Sequence, residues 1–318
     1  MLYNNIMNAA VAPPVPEELD AFRRDRTYLG ADHHRNERRI WIVTGICVVT
    51  LAAQLVGGAL FKSVALTAGG LHMSAHVAAL LTAAAAYAFA RRHAADPRFS
   101  FGVGKVGYLA GFANAVVLAI TALAIATESV ERLIHPEAVR YDGALPLAAA
   151  GLAVNLLCIV VLRPARRKGH THDRDGDLNI SAAHLHLSAD AMVSVLTIAA
   201  MALGAALHWD WTDPAAGLAG AILVGRFAWN LARRASATLL DVNPSSALTE
   251  EVRARLQVDG AEVVDLHVWR LGPGHHAAVA VVAGLHVDVA RLRQALAVIP
   301  ELSHVTIEVA TPGATHQP

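Results

Sequence analysis

Two pairs of potential metal ligands stand out in a chain that is otherwise mostly apolar. His72 and His76 are four residues apart in one apolar segment, and His186 and Asp190 repeat this spacing in another. Residues at i and i+4 lie on one face of an α-helix, so each pair would present both side chains in the same direction. Three imidazoles and one carboxylate are good ligands for Zn²⁺, Co²⁺ or Ni²⁺. The spacing therefore predicts a divalent-metal site built from two helices.

The predicted ligand set favours carriage of an ion over catalysis. Four protein ligands fill a tetrahedral site and leave no position for a catalytic water. Imidazoles and carboxylates bind metal only when deprotonated, so metal and protons compete for the same atoms. We therefore expect a transporter with the metal as substrate and protons as counter-ion, and no cofactor. His184 is two residues from His186 and faces away on a helix, so we exclude it from the site.

The composition indicates an integral membrane protein. The chain has 318 residues, of which 55% are hydrophobic and 16% charged, with a formal net charge of zero. These proportions are unlike those of a soluble domain, and the neutral balance gives no reason to expect a nucleic-acid partner. Cys47 and Cys158 both lie inside apolar segments and are interpreted as small buried hydrophobic residues.

Six apolar segments follow a polar, proline-containing and basic arm at residues 1–39. Each segment is long enough to cross a bilayer as a helix, which needs about 20 residues. The sequence thus predicts a transmembrane domain at 40–240 made of six helices. The predicted spans are 40–61, 64–90, 107–134, 143–162, 180–207 and 214–240.

The distribution of basic residues predicts the orientation. Lys and Arg are concentrated in the N-terminal arm and in the regions after the second, fourth and sixth segments. The loops 135–142 and 208–213 contain a single basic residue, Arg140. The positive-inside rule therefore places both termini in the cytoplasm.

The composition changes after residue 240. An amphipathic helix at 246–258 is followed by an alternating strand near 263–269, a turn at 271–274 and a second strand at 277–287. A helix at 288–299 and a third strand at 303–310 complete an α-β-β-α-β order. This order predicts a small α+β, ferredoxin-like cytoplasmic domain at 241–311, with a tail at 312–318.

These motifs together resemble the cation diffusion facilitator family, over nearly the whole chain after residue 40. The resemblance implies a homodimeric, proton-coupled exporter of divalent cations with six spans and a metallochaperone-like C-terminal domain, in the cytoplasmic membrane of a bacterium. Its transport site would comprise His72, His76, His186 and Asp190. The stretches that carry the resemblance are 63–76, 96–105, 109–111, 128–130, 179–190 and 267–274.

Departures from the family pattern bear on metal preference. Zinc-transporting members carry His-x-x-x-Asp in the second span, whereas this chain has His72 and His76, as in the cobalt/nickel efflux branch. Nitrogen in place of oxygen suits Co²⁺ and Ni²⁺. Family positions of a second ion site in the loop after the second span are occupied by Phe99 and Val103, which leaves only Asp96. The binuclear site of the C-terminal domain is not carried over either, because its positions are Val264, Ala280, Glu308 and Ala310.

Other histidines lie outside the predicted spans. The loop before the fifth span contains His170, His172 and Asp173, which form either a weak ion-capture segment or a solvated polar linker. The doublets at 33–34 and 275–276 have no second pair in register, so we expect exposed surface residues there.

Three alternatives remain open at this point. A zinc-selective exporter of the same family would use the same four residues. A membrane di-iron oxygenase also contains His-x-x-x-His boxes, but it needs many histidines at the cytoplasmic ends of its helices. A metal sensor would bind ions without net flux, although the sequence supplies no output module.

Overall fold

The structure, a computed structural model, describes residues 27–60, 64–135, 141–163, 177–207, 209, 211–258, 260–284 and 287–310. Within this part, six long helices precede a small mixed α/β unit. The long helices are α1 His33–Leu60, α2 Val64–Arg92, α3 Val106–Ile134, α4 Tyr141–Leu162, α5 Leu178–Leu207 and α6 Thr212–Leu239. The C-terminal elements are α7 Ser246–Leu256, β1 Glu262–Gly272, β2 His275–Ala283, α8 Val289–Ala297 and β3 Leu302–Ala310.

Four of the long helices are long and apolar enough to cross a membrane, with mean hydropathies between 1.3 and 2.2. They comprise most of α1 and α5 and all of α3 and α6. Helix α4 contains a shorter apolar stretch, Ala148–Leu162. Each of the six predicted apolar segments is helical where it is described, and the protein is an integral membrane protein.

Helix α1 begins at His33, seven residues before the apolar segment predicted at 40. The extra residues are polar, but three of them, His33, Asn36 and Glu37, are buried against other helices. Glu37 forms an ion pair with Arg91 of α2 at 3.1 Å, and the Asn36 amide donates to Asp177 at the start of α5 at 2.9 Å. These contacts extend the helix because they give its polar end partners inside the protein.

The long helices form two apolar cores that share α5. The first core joins α1, α2, α4 and α5 and includes Cys47, Leu80 and Leu187. The second joins α3, α5 and α6 and includes Leu118 and Val224. Helix α5 is therefore packed on two sides, which restricts the directions in which its polar side chains can point.

The α-β-β-α-β order predicted for the C-terminal residues is confirmed. Strand β2 is central, antiparallel to β1 and parallel to β3. The helices α7 and α8 bury Leu248, Val252 and Leu296 against one face of the sheet. The second strand ends at Ala283 and not at 287 as predicted, because the strands on both sides of it end there. Ala283 pairs with Glu262, the first residue of β1, and with Ala310, the last residue of β3.

The C-terminal unit contacts the membrane helices through the link before α3. The backbone of this link approaches β1 so closely that a Cβ atom on Gly104 would lie less than 3.0 Å from backbone atoms of Tyr28 and β1. Beside it, the Arg270 guanidinium donates to the Tyr108 hydroxyl at 3.2 Å. Lys105 forms an ion pair with Asp241, which follows α6. The β1–β2 turn is thereby held against the ends of the membrane helices.

Candidate metal centre

Helix α2 directs His76 into the helix bundle. Its buried side chains recur every three or four residues and include His76, Leu80, Ala83, Ala84 and Tyr87. This spacing defines one stripe on an α-helix, and the stripe packs into the core shared with α1, α4 and α5. The His76 ring is therefore enclosed by neighbouring helices, with 2% of its surface exposed.

Helix α5 presents His186 and Asp190 toward the same point. Both are buried, and they lie four residues apart, so they occupy one face. The two helices are joined two turns away by the Asn179 side-chain amide, which donates to the Ala83 carbonyl oxygen at 2.9 Å. This buried hydrogen bond and the apolar packing around Leu187 fix α5 relative to α2.

Three ligand atoms meet in a compact triangle. His76 Nδ1 lies 3.1 Å from His186 Nε2 and 3.1 Å from Asp190 Oδ2. His186 Nε2 lies 3.3 Å from the same Asp190 oxygen. The two imidazole rings are nearly perpendicular, at 89°, which directs both nitrogen atoms at the carboxylate without stacking the rings. Among the described residues this is the only group of three such side chains with ligand atoms so close together.

The dimensions of the triangle suit a transition-metal ion. Metal–ligand bonds of about 2.0–2.1 Å in tetrahedral geometry separate neighbouring ligand atoms by roughly 3.3 Å. The observed separations of 3.1–3.3 Å are within about 0.2 Å of that value. Two nitrogen atoms and one oxygen atom are thus spaced as one face of a coordination tetrahedron would require.

The fourth predicted ligand, His72, belongs to α2 and lies four residues before His76. Its side chain lies outside the described residues, so its membership of the site stays a prediction. His184 does not join the triangle. It is half-buried, and its Nδ1 lies 3.5 Å from the Ser188 hydroxyl.

The other sequence-based candidates have different outcomes. The loop residues His170, His172 and Asp173 lie outside the described part of the chain. Asp96 is bound through both carboxylate oxygens by Arg98, whose guanidinium holds the pKa of Asp96 at about 2. The Asp96 carboxylate is therefore ionised and already occupied by an arginine.

The prediction that the histidine doublets are exposed is wrong for one member of each doublet. His33 is buried at the start of α1, where its ring packs against Tyr87, and His276 is buried in β2. Helix periodicity explains the first case, because His33 lies three residues before the buried Asn36. In the strand, alternation places His276 on the inner face of the sheet.

A second polar group was not anticipated from the sequence. Asp177, at the start of α5, accepts hydrogen bonds from the Tyr87 hydroxyl and the Asn36 amide. Asp177 is half-buried, and Asn179, two residues further along, is buried. The available signal was the Asp-x-Asn sequence before an apolar run, which resembles an ordinary helix N-cap. The partners from α1 and α2 are 141 and 90 residues away, respectively.

Ionisable side chains buried between apolar helices are typical of membrane transporters. Comparison with known proteins identifies the family. Residues 40–240 match the cation efflux transmembrane domain family, which is 201 of the 318 residues, and the chain belongs to this family. The protein is therefore a transporter and not an enzyme, and the di-iron oxygenase alternative is wrong.

Several relatives are similar along most of their length. The zinc transporter ZitB of Escherichia coli (strain K12) is 31% identical over 291 residues, which is 89% of this chain and 88% of that protein. The metal cation efflux system protein CzcD of Cupriavidus metallidurans is 31% identical over 297 residues, covering 88% and 90%. A cadmium, cobalt and zinc/H(+)-K(+) antiporter of Bacillus velezensis is 28% identical over 284 residues, covering 86% and 87%.

Proposed function

We propose that this protein exports divalent transition-metal ions from the cytoplasm in exchange for protons, through a site formed by His72, His76, His186 and Asp190. The observation that supports this most is the buried triangle of His76, His186 and Asp190. Ionisable side chains in membrane helices are costly and line transport pathways or sites. A set of four protein ligands binds the ion without leaving a position for catalysis.

The same triangle supports exchange with protons. Two imidazole nitrogens and a carboxylate oxygen at 3.1–3.3 Å attract one another only when a proton lies between them. A metal ion needs the lone pairs of all three atoms, so its entry releases that proton. Because an unperturbed imidazole titrates near pH 6.5, protons from an acidic outer side can displace the ion again. The relative from B. velezensis carries H(+) in its name as an antiporter.

Two metal preferences have separate support. A second imidazole at position 76, where an oxygen ligand would suit zinc transport, favours Co²⁺ and Ni²⁺. The relatives include a protein named for zinc and one named for cadmium, cobalt and zinc. Co²⁺ is common to both arguments and is therefore the first substrate to test, with Zn²⁺ and Ni²⁺ beside it.

Transport by purified protein in proteoliposomes with an imposed pH gradient tests the mechanism. Asp190→Asn keeps the side-chain shape but removes the negative charge, and His184→Ala on the same helix is the matched control. Loss of a supporting residue near a metal costs 10–100-fold in affinity, so replacing a charged direct ligand by a neutral amide should lower Co²⁺ affinity by at least about that factor. Parental Co²⁺ flux in Asp190→Asn would refute the proposed site. Flux that does not respond to the pH gradient would refute the proton coupling.

A panel of metals on the parent and on His76→Asp tests the preference. This change supplies an oxygen ligand, and we expect the ratio of Zn²⁺ to Co²⁺ transport to rise. An unchanged ratio would mean that the ligand at position 76 does not determine the metal preference. A parent that already prefers Zn²⁺ would favour the zinc exporter.

We also propose that both termini are cytoplasmic, that the membrane is the bacterial cytoplasmic membrane, and that the protein is a homodimer. The basic loops support the orientation, and the family resemblance supports the dimer. Reporter fusions at each terminus and mass measurement in nanodiscs test these proposals. A terminus outside the cytoplasm, or a monomer that transports at the full rate, would contradict them.

A further inference from the structure

A small, partly open cavity lies where α1, α2 and α5 meet the link before α3 and the β1–β2 turn. The cavity has a volume of about 20 Å³, which accommodates one water-sized occupant. Its apolar walls come from residues such as Val103 and Pro273. Its polar lining consists of His33, Tyr87, Asp177 and Asn179. None of these side chains belongs to the ligand triangle.

Two lining side chains have lone pairs without a partner. His33 is 7% exposed and Asn179 1% exposed, yet His33 Nε2 and Asn179 Oδ1 have no hydrogen-bond partner among the residues that the structure describes. The orientation of the Asn179 amide is fixed, because its nitrogen donates to the Ala83 carbonyl. Leaving a buried polar atom unpaired costs about 1–3 kcal/mol, so two such atoms on one cavity indicate an occupant that supplies their missing interactions.

The cavity wall also carries a negative charge. Asp177 Oδ2 accepts from the Tyr87 hydroxyl and from the Asn36 amide, and Asp177 Oδ1 accepts from the backbone N–H of Asn179 at 3.1 Å. Within the described ranges no lysine or arginine forms an ion pair with Asp177. A fixed carboxylate beside two unpaired lone pairs attracts a cation and repels an anion.

The cavity lies on the line between the ligand triangle and the C-terminal unit. Ala83 is seven residues after His76 along α2, and Asn179 is seven residues before His186 along α5. Seven residues are about two helical turns, or roughly 10.5 Å. The cavity and the ligand triangle are therefore about two turns of helix apart, along the same pair of helices.

We propose that this cavity is a second cation site, which binds a divalent transition-metal ion through His33 Nε2 and Asn179 Oδ1 beside the Asp177 carboxylate. The inference rests on the proposed function, since the ion is the transported one on its way to the four-ligand site. One imidazole and oxygen ligands bind such ions more weakly than three imidazoles and a carboxylate. Weak binding suits a site that must release its ion onward.

Metal binding by the full chain in nanodiscs tests the site directly. The His76→Ala background removes a ligand of the transport site, and Co²⁺ binding is then counted by equilibrium dialysis. His33→Ala in this background should lose one weakly bound Co²⁺ per chain. His34→Ala is the matched control, because the neighbouring histidine is exposed, and it should retain that ion. Any Co²⁺ bound elsewhere on the chain contributes equally to the counts of both variants, so it does not affect the difference between them.

Asp177→Asn provides a second variant, since asparagine is an equally good N-cap and the α5 terminus is preserved. We expect this variant to bind Co²⁺ at the second site about tenfold or more weakly, because the negative charge is lost. In the parent background, His33→Ala should raise the KM for Co²⁺ transport about tenfold while Co²⁺ affinity at the four-ligand site is unchanged.

Equal Co²⁺ counts for the His33 and His34 variants would overturn the proposal and leave a structural water as the occupant of the cavity. Equal KM values for these two variants would overturn the role in transport. Both results are distinguishable from failure of the proposed function, which would appear as a parent without pH-driven Co²⁺ flux. The dialysis experiment does not depend on that flux.

Discussion

Replacement of Gly104 by alanine should separate the C-terminal unit from the membrane helices at one defined contact. A Cβ atom at this position would lie 2.7 Å from the Tyr28 carbonyl oxygen and 2.9 Å from the Gly272 Cα atom, and closer still to the Leu271 carbonyl oxygen. All three are backbone atoms, so no side-chain rotation relieves the overlap. Ordinary contacts begin near 3.4 Å, so the two segments must separate by about half an ångström or more.

Overpacking of this kind costs about 1–3 kcal/mol. A cost of that size corresponds to a roughly 5- to 150-fold shift in the equilibrium between docked and undocked states. Hydrogen exchange measures this equilibrium directly, because backbone amides exchange when the contact opens. We expect the amides of β1 around Leu271 to exchange about 5- to 150-fold faster in Gly104→Ala than in the parent.

Gly151→Ala is the matched control for this experiment. Gly151 lies in α4, and a Cβ atom there would meet nothing within 4 Å. Alanine in a helix is favoured over glycine, so this variant should be as stable as the parent or more stable. Parental exchange rates in Gly104→Ala would mean that the close backbone approach does not hold the C-terminal unit in place, and the reasoning would fail.

Three further predictions concern other contacts. Cys47 and Cys158 are fully buried with their sulfur atoms 4.0 Å apart, so a maleimide should label neither until the protein is denatured; labelling of the folded protein would contradict their burial. Arg91→Ala leaves the buried Glu37 carboxylate without its cation, and Glu37→Gln in the same chain should restore part of the lost stability, with a coupling energy of about 0.5–3 kcal/mol in a double-mutant cycle of thermal unfolding. Additive effects would refute the pairing. Asp288→Ala removes the N-cap of α8, which accepts from two backbone N–H groups, and should cost about 1 kcal/mol, seen as roughly fivefold faster amide exchange in α8 alone.

The long helices were predictable because the membrane imposes a simple requirement. Residues in hydrocarbon must be apolar and must satisfy their own backbone hydrogen bonds, so each span is visible as an uninterrupted apolar segment. The positions of His76, His186 and Asp190 on buried helix faces were predictable for a related reason, since an ionisable residue stands out in such a segment. The spacing of His186 and Asp190 needs only the helix period, and the helix period also places His76 in the buried stripe of α2.

The polar cluster at the end of the bundle was not predictable in the same way. The residues of this cluster lie among other polar and charged residues in the sequence, so nothing distinguishes the ones with partners on other helices. They are Asn36, Glu37 and Asp177. Their contacts depend on partners brought together by the packing of three helices, as with Asn36 and Asp177. The end of β2 at Ala283 has a similar origin, because it is set by the lengths of the neighbouring strands.

The two ends of the buried stripe on α2 limit how this helix can move. His76 and Tyr87 are eleven residues apart, which is about three whole turns and about 16 Å along the axis. Tyr87 is held by Asp177, and Ala83 between them is held by Asn179, both at the start of α5. Rotation of α2 about its own axis would break both of these hydrogen bonds. Tilting of α2 and α5 together as a rigid body would keep them. We therefore expect that tilting of this helix pair opens the ligand triangle alternately to the two sides of the membrane. Helix α2 would not rotate about its own axis relative to α5.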